Sequence, residues 1–189
     1  MKKKILSLEQ LAAKSGQLRS TGNRVVATNG CFDILHVGHV RYLAAARKLG
    51  DVLVVGLNGD SSVRQRKGEG RPVNPEQDRA EVLAALESVD YVTIFPELQA
   101  TNFLRAAQPS TYAKGGDYTA DTLDPEERAV LAKFGTKIEI IPFEKGYSTS
   151  QLLTRLGKGS EDGTLTRSPR LAPSPRGRGQ GEGSPITDN

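Results

Sequence analysis

The 189 residues (20.4 kDa) suffice for one α/β domain and scarcely for two, and 37% apolar against 25% charged residues allow a folded interior. A net charge of +4, with five Phe, five Tyr and no Trp, makes no basic face interleaved with aromatics, so nucleic acid is not an expected partner. One cysteine, Cys31, excludes an internal disulfide framework and a Cys-based zinc site, and two histidines, His36 and His39, exclude a three-His metal centre from one chain.

No apolar run approaches the roughly 18–20 residues of a spanning helix. Met1-Lys2-Lys3-Lys4 leads into Leu8-Glu9-Gln10 rather than an apolar stretch, so no export signal and no membrane contact are expected, and the protein reads as cytoplasmic.

In chain order, the β-branched run at 25–28 predicts a first strand, ended by Asn29-Gly30 as a turn signal. Helix formers at 40–49, with Val40, Leu43, Ala44 and Ala46 to Leu49 as the apolar stripe and Gly50 as the stop, predict a helix. The continuous apolar run 52–57 predicts a strand covered on both faces. Arg64 to Arg71 reads as a basic, flexible loop containing Gly68 and Gly70. Asn74-Pro75-Glu76 opens the next helix, with Pro75 in its first turn and Ala80, Val82, Leu83 and Leu86 on its stripe. A strand at 91–95, a helix at 101–107 and a short strand at 111–113 follow. Asp124-Pro125-Glu126-Glu127 is a capped start for a helix to Phe134, with Gly135 beyond it. The last strand is expected at 138–141 and the last helix at 150–156.

Strands alternating with helices imply an α/β fold with a doubly wound, Rossmann-like parallel sheet over residues 1–156, which binds ligands beyond the carboxyl ends of its strands. From Gly157 the composition shifts to Gly and Pro, with Leu165, Leu171, Ala172 and Ile186 as the apolar residues. Such a segment buries too little surface to offset its ordering entropy, so 157–189 is expected to be a disordered, low-complexity tail.

Both histidines fall within four residues, after the first strand and at the start of the first long helix. Three apart on a helix they would share a face, where the dipole and unpaired N–H groups favour anions. Two imidazoles on one turn are placed to hold charge developing on a phosphorus centre under attack. Neither G-x-G-x-x-G nor G-x-x-x-x-G-K-[ST] is present, and there is no G-x-S-x-G elbow. Cys31 reads as a buried structural residue and Lys48 as a helix-surface one. Ser148 and Thr149, after Gly146, suit either an ordinary helix cap or nucleotide phosphates. Lys114-Gly115-Gly116-Asp117 suits close backbone approach to a base or phosphate, or a plain turn.

Asn29-Gly30-Cys31-Phe32-Asp33-Ile34-Leu35-His36-Val37-Gly38-His39 resembles the H-x-G-H signature of cytidylyltransferase-like nucleotidyltransferases. Four further blocks, around Lys67 to Asn74, Asp78 to Leu86, Lys114 to Tyr118 and Gly146 to Ser150, are similar to the heptose-1-phosphate adenylyltransferase domains. Those domains form the second half of the bifunctional enzyme that makes ADP-heptose. The likeness runs over 5–156, leaves no room for the kinase half, and implies the stand-alone form. It implies ATP and a sugar 1-phosphate as substrates, with Mg²⁺ carried on the ATP and no metal site of the protein's own. It also implies His36 and His39 as the catalytic pair. Asn29, Gly30, Phe32, Asp33, Lys114, Gly146, Ser148 and Thr149 would bind the nucleotide, and Lys67, Arg71 and Asp117 the sugar phosphate. Arg79 lies in a matching block but equally suits a structural ion pair. A homodimer is compatible with this reading. The segment 119–125 departs from the family and is expected to reshape the substrate side. Cytidylyl transfer to glycerol 3-phosphate, or a non-catalytic nucleotide-binding module, are the alternatives.

Overall fold

The computed structural model describes residues 2–116 and 122–142. Asp117, Gly146, Ser148, Thr149, the helix expected at 150–156 and the segment 157–189 lie outside these residues. After a 3₁₀ turn at Lys2–Lys4 come α1 (Leu8–Ser20), β1 (Val25–Gly30), α2 (Val37–Arg47), β2 (Val52–Asn58) and α3 (Asp60–Lys67). The chain continues through α4 (Glu76–Ala84), β3 (Tyr91–Phe95), α5 (Thr101–Ala107), β4 (Thr111–Gly115), α6 (Pro125–Lys133) and β5 (Lys137–Ile141). The five strands are all parallel, in the order β3-β2-β1-β4-β5. The order reverses between β1 and β4, and such a switch point opens a crevice at the carboxyl edge.

Alternation along each strand feeds two cores, one on either face. Val25, Ala27, Val52, Val54 and Tyr112 pack with Leu11 of α1, Phe103 and Leu104 of α5, and Val130 and Leu131 of α6. Val26, Leu53, Val55, Leu57 and Ala113 pack with Leu43 and Ala46 of α2 and with Ala80 and Leu83 of α4. Every residue of β2 is buried, as its continuous apolar run predicts. Gly56 is required there, because a Cβ would sit 2.8 Å from the Phe103 ring.

Several expectations are corrected. Asn29 and Gly30 are not a turn: they extend β1, paired with Gly56 and Leu57 of β2, so ladder pairing overrides the local turn preference. α2 starts at Val37, three residues early, and Val40 faces solvent rather than joining the apolar stripe. The basic segment from Arg64 is helical as far as Lys67, because α3 buries Ser62 and Val63. Pro75 is the N-cap of α4 rather than in its first turn, and Val82 is exposed. β4 runs on to Gly115 through its ladder with β5, which puts Lys114 in a strand rather than in the turn after it. α1 was not anticipated, although Ser7 and Gln10 form a reciprocal capping box that sequence spacing announces.

Candidate active site

At the switch point lies a cleft of about 820 Å³, lined among others by Asn29, Phe32, His36, His39, Lys67 and Lys114. His36 is the N-cap of α2 rather than part of it, with extended backbone, and its carbonyl accepts from the N–H of His39 at 2.9 Å. The cap and the third helical residue nevertheless face one way. The two rings stack with centroids 3.8 Å apart and planes 24° off parallel. Phe32 meets His39 edge-on at 5.3 Å. To reach it, Phe32 adopts a left-handed φ of 41°, and its ring lies where a side chain on Gly30 would begin, 3.0 Å from a Cβ there.

Burial lowers the pKa of both histidines. For His39 the value is about 4, with His36 and Lys67 adding repulsion to the desolvation. Near pH 7 both rings are therefore neutral, and each offers one N–H donor. The Nδ1 atoms of both are buried without a protein partner among the described residues.

Opposite stands Lys114, buried at the end of β4. Its Nζ donates to Asn29 Oδ1 at 2.7 Å, and Tyr112 Oη donates to the same oxygen at 2.6 Å. Two donors on one oxygen settle the Asn29 amide with its carbonyl toward β4. Desolvation brings Lys114 down to about 8; the Glu127 carboxylate opposes this and Arg66 adds to it. The ammonium is still charged at neutral pH.

Asp33 and Arg71, expected at the nucleotide and the sugar phosphate, pair with each other. Asp33 is buried, accepts from the N–H groups of Val73 and Asn74 at 2.7 and 3.4 Å, and pairs with Arg71 Nη1 at 2.7 Å. Both bind the 71–74 segment to the β1–α2 loop, so each already has a structural partner. Arg79, 2% exposed, donates to the carbonyls of Cys31, Asn58 and Asn74 at 2.5, 2.9 and 2.9 Å and to Asp60 Oδ1 at 2.7 Å. Of its two readings, the structural ion pair is the one observed. Cys31 is half-buried at the cleft wall rather than in the core, and Lys48 is exposed.

The structure therefore brings together Asn29, Gly30, Phe32, Asp33, His36, His39, Lys67 and Lys114 on one cleft. Arg71 pairs with Asp33 of this lining. Sequence reasoning missed Tyr112, Asn58, Arg66 and Glu127. Arg66 lies in the basic segment and Glu127 in the capped helix start, but their place at the cleft, like that of Asn58 and of Tyr112 behind Asn29, comes from strand order and helix packing.

Residues 27–155 match the cytidylyltransferase-like family. Bifunctional protein HldE of Geobacter sulfurreducens is 44% identical over 155 residues, 82% of this chain and 31% of its own length. The HldE protein of Geotalea uraniireducens is 46% identical over 157 residues, 83% and 32%. The chain thus spans about a third of the length of the curated relatives it matches. A lipopolysaccharide core biosynthesis protein from Thermoplasma volcanium is matched over its whole length and 67% of this chain, with 30% identity and a TM-score of 0.54. Pantoate-beta-alanine ligase from Francisella tularensis, 15% identical with a TM-score of 0.50 over 75% of this chain and 67% of its own, shares the fold alone. With more than half its residues matched and the Thermoplasma protein covered whole, this chain belongs to the cytidylyltransferase-like family of nucleotidyltransferases.

Proposed function

We propose that the chain is an adenylyltransferase that joins ATP to D-glycero-β-D-manno-heptose 1-phosphate, giving ADP-heptose and pyrophosphate. One observation carries the reading: a stacked pair of neutral imidazoles at the start of α2, across the switch point from a buried lysine ammonium. The likeness to HldE proteins and to a lipopolysaccharide core biosynthesis protein supports the substrate.

In the proposed reaction a phosphate oxygen of the sugar 1-phosphate attacks the α-phosphorus of ATP in line. The bond from that phosphorus to the bridging oxygen breaks, and pyrophosphate leaves. No covalent intermediate on the protein is needed, so catalysis is positioning and charge stabilisation. His36 and His39 donate hydrogen bonds to the α-phosphoryl oxygens as charge accumulates, and the ammonium of Lys114 balances it from the β4 side. Neutral imidazoles suit this task, since they donate without an ammonium's demand for solvation. Lys67 is exposed at the cleft mouth, where it would meet the incoming anion. Gly146, Ser148 and Thr149 are expected to take the β- and γ-phosphates and Asp117 the sugar.

Among the described residues no group of three or more His, Cys, Asp or Glu could hold a metal, and the Asp33 carboxylate is taken by Arg71 and two N–H groups. These residues suit Mg²⁺ entering on the triphosphate, where it neutralises phosphate charge. Among the described residues no helix is long and apolar enough to cross a membrane, and dependence on ATP fits the cytoplasm.

The test is pyrophosphate release with ATP or CTP crossed against heptose 1-phosphate and glycerol 3-phosphate. Turnover is expected with ATP and heptose 1-phosphate; turnover confined to CTP and glycerol 3-phosphate would overturn the assignment.

A further inference from the structure

The cleft is lined by two buried carboxylates, Asp33, which Arg71 and two N–H groups occupy, and Glu127, which the reaction does not use. Glu127, 5% exposed, stands in the first turn of α6 and lines the cleft. Its position is rigid. Asp124 caps the helix by accepting from the N–H groups of Glu126 and Glu127, and Leu123, Val130 and Leu131 anchor it in the core. Oε1 accepts the N–H of Ala100, before α5, at 2.7 Å. Among the described residues no donor meets the other carboxylate oxygen.

A carboxylate there is costly on two counts: its charge is partly desolvated, and it repels every phosphate that enters. The tie to Ala100 does not require it, because a glutamine carbonyl would accept the same N–H. What a carboxylate adds over an amide is a second acceptor oxygen and a negative charge, which also acts on Lys114. The rest of the cleft supplies mainly donors (His36, His39, Arg66, Lys67 and Lys114), which match phosphate oxygens. An acceptor on the opposite wall matches a group that is itself a donor, and the donors of a sugar phosphate or nucleotide at some distance from phosphate are hydroxyls.

We propose that Glu127 is a specificity-determining residue that accepts a hydrogen bond from a substrate hydroxyl and so orients the phosphate-free end of that substrate on the α6 wall. This rests on the assignment of the cleft to ATP and a sugar 1-phosphate. A charge-assisted bond to a hydroxyl is the kind of contact whose loss discriminates strongly, because the buried acceptor is then left unpaired.

The experiment measures Kd by calorimetry, together with kcat and KM, for wild type and Glu127→Gln in the full chain. Ligands are ATP, 2′-deoxy-ATP and 3′-deoxy-ATP on one arm, and the sugar 1-phosphate with its singly deoxygenated analogues on the other. Glutamine keeps the Ala100 contact and turns the cleft-facing acceptor into an NH₂ donor, so the melting temperature should stay close to wild type. Wild type should bind one deoxy analogue about tenfold more weakly than its parent, and Glu127→Gln should weaken the parent similarly and no longer tell the two apart. Discrimination lost on the sugar arm identifies a sugar hydroxyl, and on the ATP arm a ribose hydroxyl; either supports the proposal. Wild type that binds all analogues equally overturns it. So does a variant that merely moves the alkaline limb of kcat, which would make Glu127 a counter-ion of Lys114. Kd is read without turnover, so intact discrimination with no pyrophosphate release overturns the adenylyltransferase assignment alone.

Discussion

Two groups of polar side chains stand along the same carboxyl edge of the sheet and are built in opposite ways. Around Arg79 the guanidinium meets three carbonyls and Asp60, while nearby Asp33 meets two N–H groups and Arg71. These groups turn inward and tie the loops after β1 and β2 to the start of α4. His36, His39 and Lys114 line the cleft itself, and burial has lowered the pKa of all three. A buried arginine that is saturated holds a fold; a buried base held in a cleft is available for chemistry. Residue type alone does not separate the two.

The largest expected effect lies on the inward side. Arg79→Ala leaves the buried Asn58 carbonyl, the part-buried Cys31 and Asn74 carbonyls and the Asp60 carboxylate without their donor, a loss of about 3–5 kcal/mol for breaking such a network around a buried charge. Denaturant unfolding should show it as a lowered midpoint, with activity falling only as the folded fraction falls. Normal stability in this variant would break the comparison at its base.

His39→Ala should do the converse. If the pair stabilises the transition state, kcat falls roughly 10²–10³-fold with little change in ATP affinity. Among the described residues His39 Nδ1 has no hydrogen-bond partner, so the melting temperature should stay near wild type. Full activity in folded His39→Ala protein would remove the histidines from the mechanism.

The same contrast explains what could be read in advance. The sheet was legible because its signals are local: the all-apolar β2, the strand at Tyr91–Phe95 and the helix at Thr101–Ala107 stand where their sequence patterns put them. The His pair was legible too, since both rings belong to one segment. The pairing of Arg71 with Asp33 was not, because a long stretch of chain separates the two and only the fold brings them together. Tyr112 and Glu127 were invisible for the same reason. Tyr112 meets Asn29 through the β1–β4 neighbourhood and Glu127 reaches the cleft wall beside the α5–α6 contact, which no short window contains.

A smaller effect separates activity from stability by pH. Lys114 loses its proton near pH 8 in the folded protein, against 10.5 ordinarily, mainly because it is desolvated. If its charge serves the reaction, kcat should fall about tenfold per pH unit above that point. Stability moves the other way: between about pH 8 and 10.5 the unfolded chain binds the extra proton, so the contribution of this group rises with pH. On the acid side His39 titrates at about 4 when folded and 6.5 ordinarily. Its contribution is present above 6.5 and is lost as pH falls toward 4. Pairing kcat and melting temperature over pH 4–10 on one preparation checks both signs, and an activity plateau extending to pH 10 would remove Lys114 from the charge balance.

The smallest effect is expected at Asp124, which belongs to both regions. Its Oδ1 caps α6 by accepting from Glu126 and Glu127, and the residue also lines the cleft. Asp124→Ala should cost about 1 kcal/mol through loss of the cap, a fall of roughly 2–4 °C in melting temperature for a domain of this size. Asparagine caps a helix about as well as aspartate, so Asp124→Asn should recover that stability. The kinetics then assign the charge. If Asp124 only orients α6, and through it Glu127, Asp124→Asn regains wild-type KM along with the melting temperature. A variant that regains stability while KM stays raised would move Asp124 from the inward-turned class to the cleft.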